Sequence, residues 1–227
     1  MGIPGFDEMV GGGIPYKSAI ELAGTPGSGK TIFAMQYLVQ GAMQGERGLY
    51  FTFEQRKEDM IETFASFGWD LPRLESEGKI KIVFKAPVEE DGLMDSFRLL
   101  KLEEEYQNFP AHRVVFDSVN VLNIFSPDWK KTRRSLVDFV YYLKDKGATS
   151  IFITEREQGI KDGFCFLPLD FLFDGLIFLD NVEINGILKN VVVIPKMRNV
   201  NHDKGMRPLR ITPDGIVVDP TGKIYSE

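Results

Sequence analysis

The sequence predicts an α/β fold: a largely parallel sheet flanked by helices, with an antiparallel C-terminal extension. Three observations carry this. A strand, a glycine-rich loop and a helix follow one another over residues 19–44. Apolar strand-like runs then alternate with helical patterns as far as residue 154, the signature of crossover units and a parallel sheet. After residue 175 the pattern changes to runs flanking Asn185-Gly186 and Asp214-Gly215, both hairpin-turn signals.

Taken in order, Met1–Tyr16 reads as a turn, a short helix and a glycine-rich loop, because Gly11–Gly13 and Pro15 forbid regular structure. Ala19–Ala23 is a strand, although Glu21 interrupts an otherwise apolar run, unusual in a central parallel strand. Ile32–Gln44 is a helix that is apolar nearly all round, which implies burial on more than one side. Gly48–Phe53 is the next strand and ends at Glu54. Lys57–Phe67 carries helical apolar spacing at Met60, Ile61, Phe64 and Phe67, and Ile80–Phe84 is again a strand. Asp95–Asn108 is a charged helix whose Glu103–Glu105 run is a solvated face. Arg113–Asp117 is an apolar strand ending in an acid, Trp129–Lys146 a helix closed by Gly147, and Ser150–Thr154 a strand. Leu176–Leu179 with Leu188–Pro195, and Leu209–Ile211 with Ile216–Val218, form the antiparallel extension.

The chemistry concentrates at Gly24-Thr25-Pro26-Gly27-Ser28-Gly29-Lys30-Thr31. A glycine, four residues, then Gly-Lys-Ser/Thr is the P-loop pattern for nucleotide phosphates. Glycines let successive backbone N–H groups curl into an anion-holding nest, and the helix that follows aims its positive end at the phosphates. Lys30 would reach the β- and γ-phosphates and the Thr31 hydroxyl would bind Mg2+, so ATP with Mg2+ is the expected ligand. Asp117, at a strand end before Ser118, suits the Mg2+ role through a bound water. Asp180 is its rival, ranked second because it precedes a hairpin rather than a crossover helix. Glu54 also ends a strand, and in an open parallel sheet ligands sit beyond the carboxyl ends of the strands. It could orient the attacking water and accept its proton; a merely exposed strand-end acid is the equal alternative.

Composition bounds the rest. The chain has 227 residues, enough for one large domain over 1–227. Its formal net charge of −6 provides no global basic field to recruit nucleic acid. Lys130, Lys131, Arg133 and Arg134 form one basic cluster beside Trp129, read as a solvated helix start in preference to a nucleic-acid patch. A single cysteine, Cys165, excludes an internal disulfide framework and points to a reducing compartment, hence a cytoplasmic location. The most apolar window, Phe164–Leu179, is broken by Pro168, Asp170, Asp174 and Gly175 and is no membrane span. His112 has no neighbours at metal-ligand spacing.

Several runs together resemble the KaiC family of RecA-type ATPases. They are Gly2-Ile3-Pro4-Gly5-Phe6-Asp7, Gly11-Gly12-Gly13-Ile14-Pro15, the phosphate loop and Tyr50-Phe51-Thr52-Phe53-Glu54. Ser66-Phe67-Gly68-Trp69-Asp70-Leu71, Glu77-Gly78-Lys79, Val115-Phe116-Asp117-Ser118-Val119, Thr154-Glu155-Arg156 and Lys196-Met197-Arg198 with His202 follow in the same order. The resemblance spans essentially the whole chain as one such domain. It implies a RecA-like fold, ATP hydrolysis, and homo-oligomeric rings, usually hexameric, with ATP between neighbours. It implies that Glu54 is the catalytic glutamate and that Lys196 and Arg198 reach the γ-phosphate of a neighbour's ATP. His202 would lie near the nucleotide sugar. On the residues alone, Lys196 and Arg198 read as a solvated strand end.

Three departures qualify the resemblance. Gln55 stands where the family often has a second glutamate, and Asn199-Val200-Asn201 replaces the usual Gly-Thr-Ser before the histidine. Residues 155–175 contain no serine or threonine, so the self-phosphorylation of the family's clock kinase is not expected. The implied reading is an ATPase coupling ATP state to a partner-binding or ring conformation. A recombinase-like DNA-binding ATPase and a non-hydrolysing ATP-bound scaffold are the alternatives.

Overall fold

In the computed structural model, which describes residues 1–85, 94–121, 129–160 and 166–224, the architecture is set by Ala19–Gly24 (β1). All six residues of this strand are buried, as a strand covered on both faces requires. Before it comes Phe6–Met9 (α1). After it follow Lys30–Met43 (α2), Gly48–Thr52 (β2), Lys57–Ala65 (α3), Leu71–Ser76 (α4), Ile80–Phe84 (β3), Met94–Asn108 (α5) and Arg113–Asp117 (β4). Trp129–Asp145 (α6) and Thr149–Glu155 (β5) complete the alternating part. Gly175–Ile184 (β6), Ile187–Met197 (β7), Arg207–Thr212 (β8) and Gly215–Val218 (β9) end the chain.

The expected elements are present with ends moved by a few residues. One is additional: α4, where the Asp70 carboxylate caps the Arg73 N–H at 3.0 Å and Pro72 sits in the first turn. An acid followed by such a proline is a helix-start signal.

The nine strands form one mixed sheet in the order β3-β2-β4-β5-β1-β6-β7-β8-β9. From β3 to β6 every pairing is parallel, and from β7 onward it is antiparallel. The C-terminal extension therefore begins at the centre, with β6 running parallel to β1, Ile20 beside Gly175 and Gly24 beside Leu179.

Helices cover both faces. On one, α2 lies across the sheet, and Phe6, Phe33, Leu38 and Phe64 pack against Ile20, Leu22 and Ile153. On the other, Leu102 and Tyr106 of α5 and Leu136 and Phe139 of α6 pack against Phe51, Phe116 and Phe152. Each fully buried aromatic or aliphatic side chain here contributes roughly 1.5–3 kcal/mol. The all-round apolar character of α2 has its explanation in this position: besides the parallel strands it meets β9, and Phe6 of α1 packs edge-on to Phe33.

Glu21, the break in the apolar strand, is fully buried and ion-paired. Its Oε1 accepts from Thr154 Oγ1 at 2.7 Å and from Arg156 at 2.8 Å. The same guanidinium pairs with Asp170, which is also fully buried. A carboxylate can occupy the centre of a sheet when it is paired in this way.

Candidate phosphate-binding site

Gly24–Thr31 joins the carboxyl end of β1 to the amino end of α2, the position where ligands bind in parallel sheets. Geometry favours three glycines in this loop, Gly27 among them through its φ of +73°. A Cβ on Gly24 would lie 2.1 Å from the Leu179 carbonyl oxygen of β6, so only glycine lets the strands approach here. Gly29, the residue capping α2, has φ +94°, a left-handed conformation that β-carbons oppose. Ser28 Oγ donates to the Thr25 carbonyl at 2.8 Å, and Thr25 Oγ1 donates to Asp180 at 2.8 Å, tightening the loop on itself and onto β6.

Lys30 is buried, and its Nζ donates to the carbonyls of Gly24 (3.1 Å) and Thr25 (2.8 Å). Burial lowers its pKa, while Glu155, Asp117 and Glu54 oppose that shift. Three acids thus face one ammonium, and one of its three donors is left after the two carbonyls. Thr31 Oγ1 donates to Asp117 Oδ2 at 3.2 Å, and Tyr50 OH donates to the same oxygen at 2.6 Å. Burial raises Asp117 to about 6, against the two hydroxyls and Lys30, which lower it. A hydroxyl and a carboxylate side by side are hard oxygen donors, the set Mg2+ takes. Asp117 also fits that ion through its second oxygen, since both hydroxyls meet Oδ2. Glu54 is exposed beyond the end of β2, where Ser118 Oγ donates to its Oε1 at 2.9 Å.

These groups share one cavity of about 300 Å³, lined by Gly27, Gly29, Lys30, Thr31, Glu54 and Asp117. Glu155 and the half-exposed Ile211 of β8 also line it, among others. Parallel strands explain the convergence: β1, β2 and β4 all deliver their carboxyl ends to the same edge. Asp180 is not part of that wall. It accepts from Thr25 Oγ1 and from the backbone N–H groups of Ile160 and Asn181, inside β6 rather than at a strand end.

Lys196, Arg198 and His202 lie elsewhere. Met197 pairs with Gly175, which lies beside Ile20, so the end of β7 falls at the amino ends of the parallel strands. The four residues from Ile20 to Gly24 set it roughly 13 Å from the loop along the sheet, at 3.3 Å per residue. Strand direction, rather than distance across the sheet, separates these cations from their own loop. His202 contacts its own Val200 carbonyl at 3.2 Å, and the adjacent Asp203 N–H donates to Met9 of α1.

Sequence reasoning missed Tyr50 and Ser118, whose hydroxyls hold the two site acids, and the Arg156–Asp170 pair. Ser118 was adjacent to a singled-out acid; no local pattern distinguishes Tyr50. Cys165 lies outside the described residues, as do the side chains of Trp129 and Lys131. Among the described residues no helix is long and apolar enough to cross a membrane.

Comparisons with known proteins bear on the family and the fold. A family model described as "ATPase: KaiC" matches residues 1–223. A UPF0273 protein of Pyrococcus furiosus is 35% identical over 241 residues, covering 99% of this chain and 96% of its own. The circadian clock oscillator protein KaiC of Synechococcus elongatus is 34% identical over 97% of this chain, which spans 44% of that longer protein. The crystal structure of a KaiC-like protein from the hyperthermophilic archaeon Pyrococcus horikoshii OT3 superposes with a TM-score of 0.84 at 36% identity, covering 96% of this chain and 97% of the other.

Proposed function

This chain belongs to the KaiC family of ATPases, and from that premise we propose that it is a Mg2+-dependent ATPase acting as a ring-type homo-oligomer. ATP is hydrolysed to ADP and phosphate at sites shared between neighbouring chains, and residues 1–227 serve as one RecA-like ATPase domain in the cytoplasm. The observation that carries the reading is the meeting of Thr31, Asp117 and Glu54 around Lys30 in one cavity.

The N–H groups of Gly24, Thr25, Pro26, Gly27, Ser28 and Gly29, Pro26 excepted because it has none, supply the phosphate cradle. Lys30 exchanges its two loop carbonyls for phosphate oxygens. Thr31 and, through water, Asp117 would hold Mg2+, which would supply positive charge to stabilise the phosphates. Glu54, held by Ser118, orients the attacking water and takes its proton. With Gln55 beside it, that proton rests on Glu54 alone. Lys196 and Arg198 of one chain meet the γ-phosphate bound by the next, where charge spreads over the phosphoryl oxygens during transfer. His202 contacts the sugar from the same side. ATP state then couples to the conformation of the ring and of any protein partner. No hydroxyl is available over residues 155–175 for self-phosphorylation.

The test is ATP turnover and oligomer mass measured on one preparation, with and without single-stranded DNA. Turnover in a ring-sized particle, indifferent to DNA, is expected. DNA-stimulated turnover would replace this reading with a recombinase-like one, and tight ATP binding without turnover would leave only a scaffold.

A further inference from the structure

Residues 170–174 seat both C-terminal cations. Lys196 Nζ donates to the Asp170 carbonyl at 2.9 Å and the Phe173 carbonyl at 2.6 Å. Arg198 reaches the Phe171 carbonyl and the Asp174 carboxylate at 3.5 and 3.4 Å. Two carbonyls occupy two of the three lysine donors and leave one for another acceptor.

The seat is pinned at both ends by charge. At one end the Asp174 carboxylate accepts from Lys144 Nζ at 2.7 Å and from the Ala19 N–H at 2.9 Å. At the other, Asp170 accepts from the Arg156 guanidinium with one oxygen and from the Leu167 N–H, at 2.9 Å, with the other. Arg156 is 8% exposed and its two carboxylate partners, Glu21 and Asp170, are fully buried. Charges so deep cannot be re-solvated locally, and taking one partner away strands the others. This end of the seat is therefore stiff.

Arg156 also touches the phosphate loop. Its backbone N–H donates to the Gly24 carbonyl at 3.0 Å, the same oxygen that accepts from Lys30 Nζ. Hydrogen bonds, joined through the Arg156 and Asp170 side chains, thus link Lys30 to Gly24, Arg156, Asp170 and Lys196, spanning the sheet from its carboxyl to its amino edge. Stabilisation of β1 would account for the Glu21 pair. The backbone bond continues the β1–β5 ladder, in which Glu155 lies beside Gly24; what β1 alone does not account for is a side chain at that strand end paired with Asp170, in the seat of a remote cation.

We propose that Arg156 is a positioning residue for the neighbouring chain's site: by holding Asp170 it presents Lys196, and through Gly24 it ties that presentation to its own phosphate loop. The inference rests on the shared-site reading above. Its consequence is directional. When Lys30 leaves the Gly24 carbonyl for phosphate, the change passes to the cation offered to the next chain, so occupancy at one site is felt at the next around the ring.

Asp170→Asn is the informative substitution. Both carboxylate oxygens accept N–H groups, and an amide has one acceptor, so either Arg156 or Leu167 must let go. Arg156 keeps Glu21 and no charge is left alone. The parent experiment mixes Lys30→Ala chains, which supply only cations, with Arg198→Ala chains, which supply only intact loops, under proven subunit exchange. Asp170→Asn is then added to one partner at a time. Added to the cation donor, it should lower the recovered turnover by about 2- to 30-fold, the range for positions along a coupling network. Added to the loop donor, it should cost less than about 2-fold. Equal losses in both arrangements, or loss only in the loop donor, would overturn the inference and leave a structural role. A parent mixture that stays dead removes the shared-site reading and this inference together, so the two failures are distinguishable. If Asp170→Asn chains do not assemble, Arg156→Lys, which keeps the charge on a side chain one bond too short to place a nitrogen where Nη2 meets both carboxylates, is placed in the same two arrangements and judged by the same asymmetry.

Discussion

In the shared site proposed above, the carboxyl and amino ends of the parallel strands carry opposite halves of the chemistry. At the carboxyl ends, a compact loop and three strand-end acids or their neighbours surround one buried lysine. At the amino ends, Lys196 and Arg198 rest on a turn that belongs to the crossover between β5 and β6. The reversal of β7 against β6 produces the division: running back along the sheet, it carries its last residues away from the loop. The two halves of such a site can meet between copies stacked head to tail, a heterologous contact that closes into a ring when its rotation permits.

The sharpest way to break this comparison is to remove the amino-end half. Arg198→Ala should retain ATP binding and lose roughly 10³- to 10⁵-fold in turnover, the value of a cation supplied to phosphoryl transfer from outside the loop. Phosphate release and nucleotide binding, measured separately, check this. An Arg198→Ala chain with full turnover would return the residue to a solvated strand end.

Glu54→Gln tests the other half. Binding of ATP should persist while turnover falls by at least about 100-fold, the lower range for a lost acid–base group. The effect should appear in kcat rather than in affinity, because the water is engaged only during reaction. Near-normal turnover would send the search for the base to another group on the cavity wall, Glu155 being the remaining acid there.

Lys30→Ala separates ground-state binding from chemistry at the loop itself. A charged hydrogen bond to phosphate is worth about 1.5–3 kcal/mol, so ATP affinity should drop by about 10- to 150-fold, in contrast to Glu54→Gln. An unchanged dissociation constant would mean the lysine stays on the Gly24 and Thr25 carbonyls with ATP bound.

The two ends also differ in how far the sequence exposed them. Gly24–Thr31, Glu54 and Asp117 were legible because each sits at a strand end or in a contiguous pattern, and parallel strands bring such ends together by rule. Lys196 and Arg198 stood out only through resemblance, since a basic strand end has no local signature. Glu21 was visible as an anomaly without a cause. Its partners Thr154 and Arg156 lie 133 and 135 residues away in the chain, and only the β1–β5 pairing brings them to it; Asp170, on the same guanidinium, arrives through the crossover before β6. Helix α4 was missed for a weaker reason: its cap and proline were present, but six residues are too few for a periodic pattern.

Glu21 offers the smallest and finest test, because it sits midway along the strand that joins the two ends. Burial, with the Asp170 carboxylate adding to it, pushes Glu21 up to about 7 from 4.5, against Arg156 and Thr154, which lower it. Below pH 4.5 the carboxyl is protonated in folded and unfolded chains alike. Between 4.5 and 7 the unfolded chain has released the proton while the folded chain holds it. The folded state then binds more protons, so stability must fall as pH rises through that window and level off above 7. A shift of this size corresponds to at most about 3 kcal/mol, less where Arg156 is shared unevenly with Asp170. Glu21→Gln removes the titration and retains a carbonyl oxygen for Thr154 and Arg156. Its amide nitrogen takes the place of Oε2, which has no hydrogen-bond partner. The variant should therefore match wild type in relative stability near pH 4.5 and gain on it steadily up to pH 7. Denaturant unfolding across that range reads the difference directly. Parallel curves would show that Glu21 is ionised throughout, with the guanidinium satisfying both carboxylates and the strand's centre fully charged.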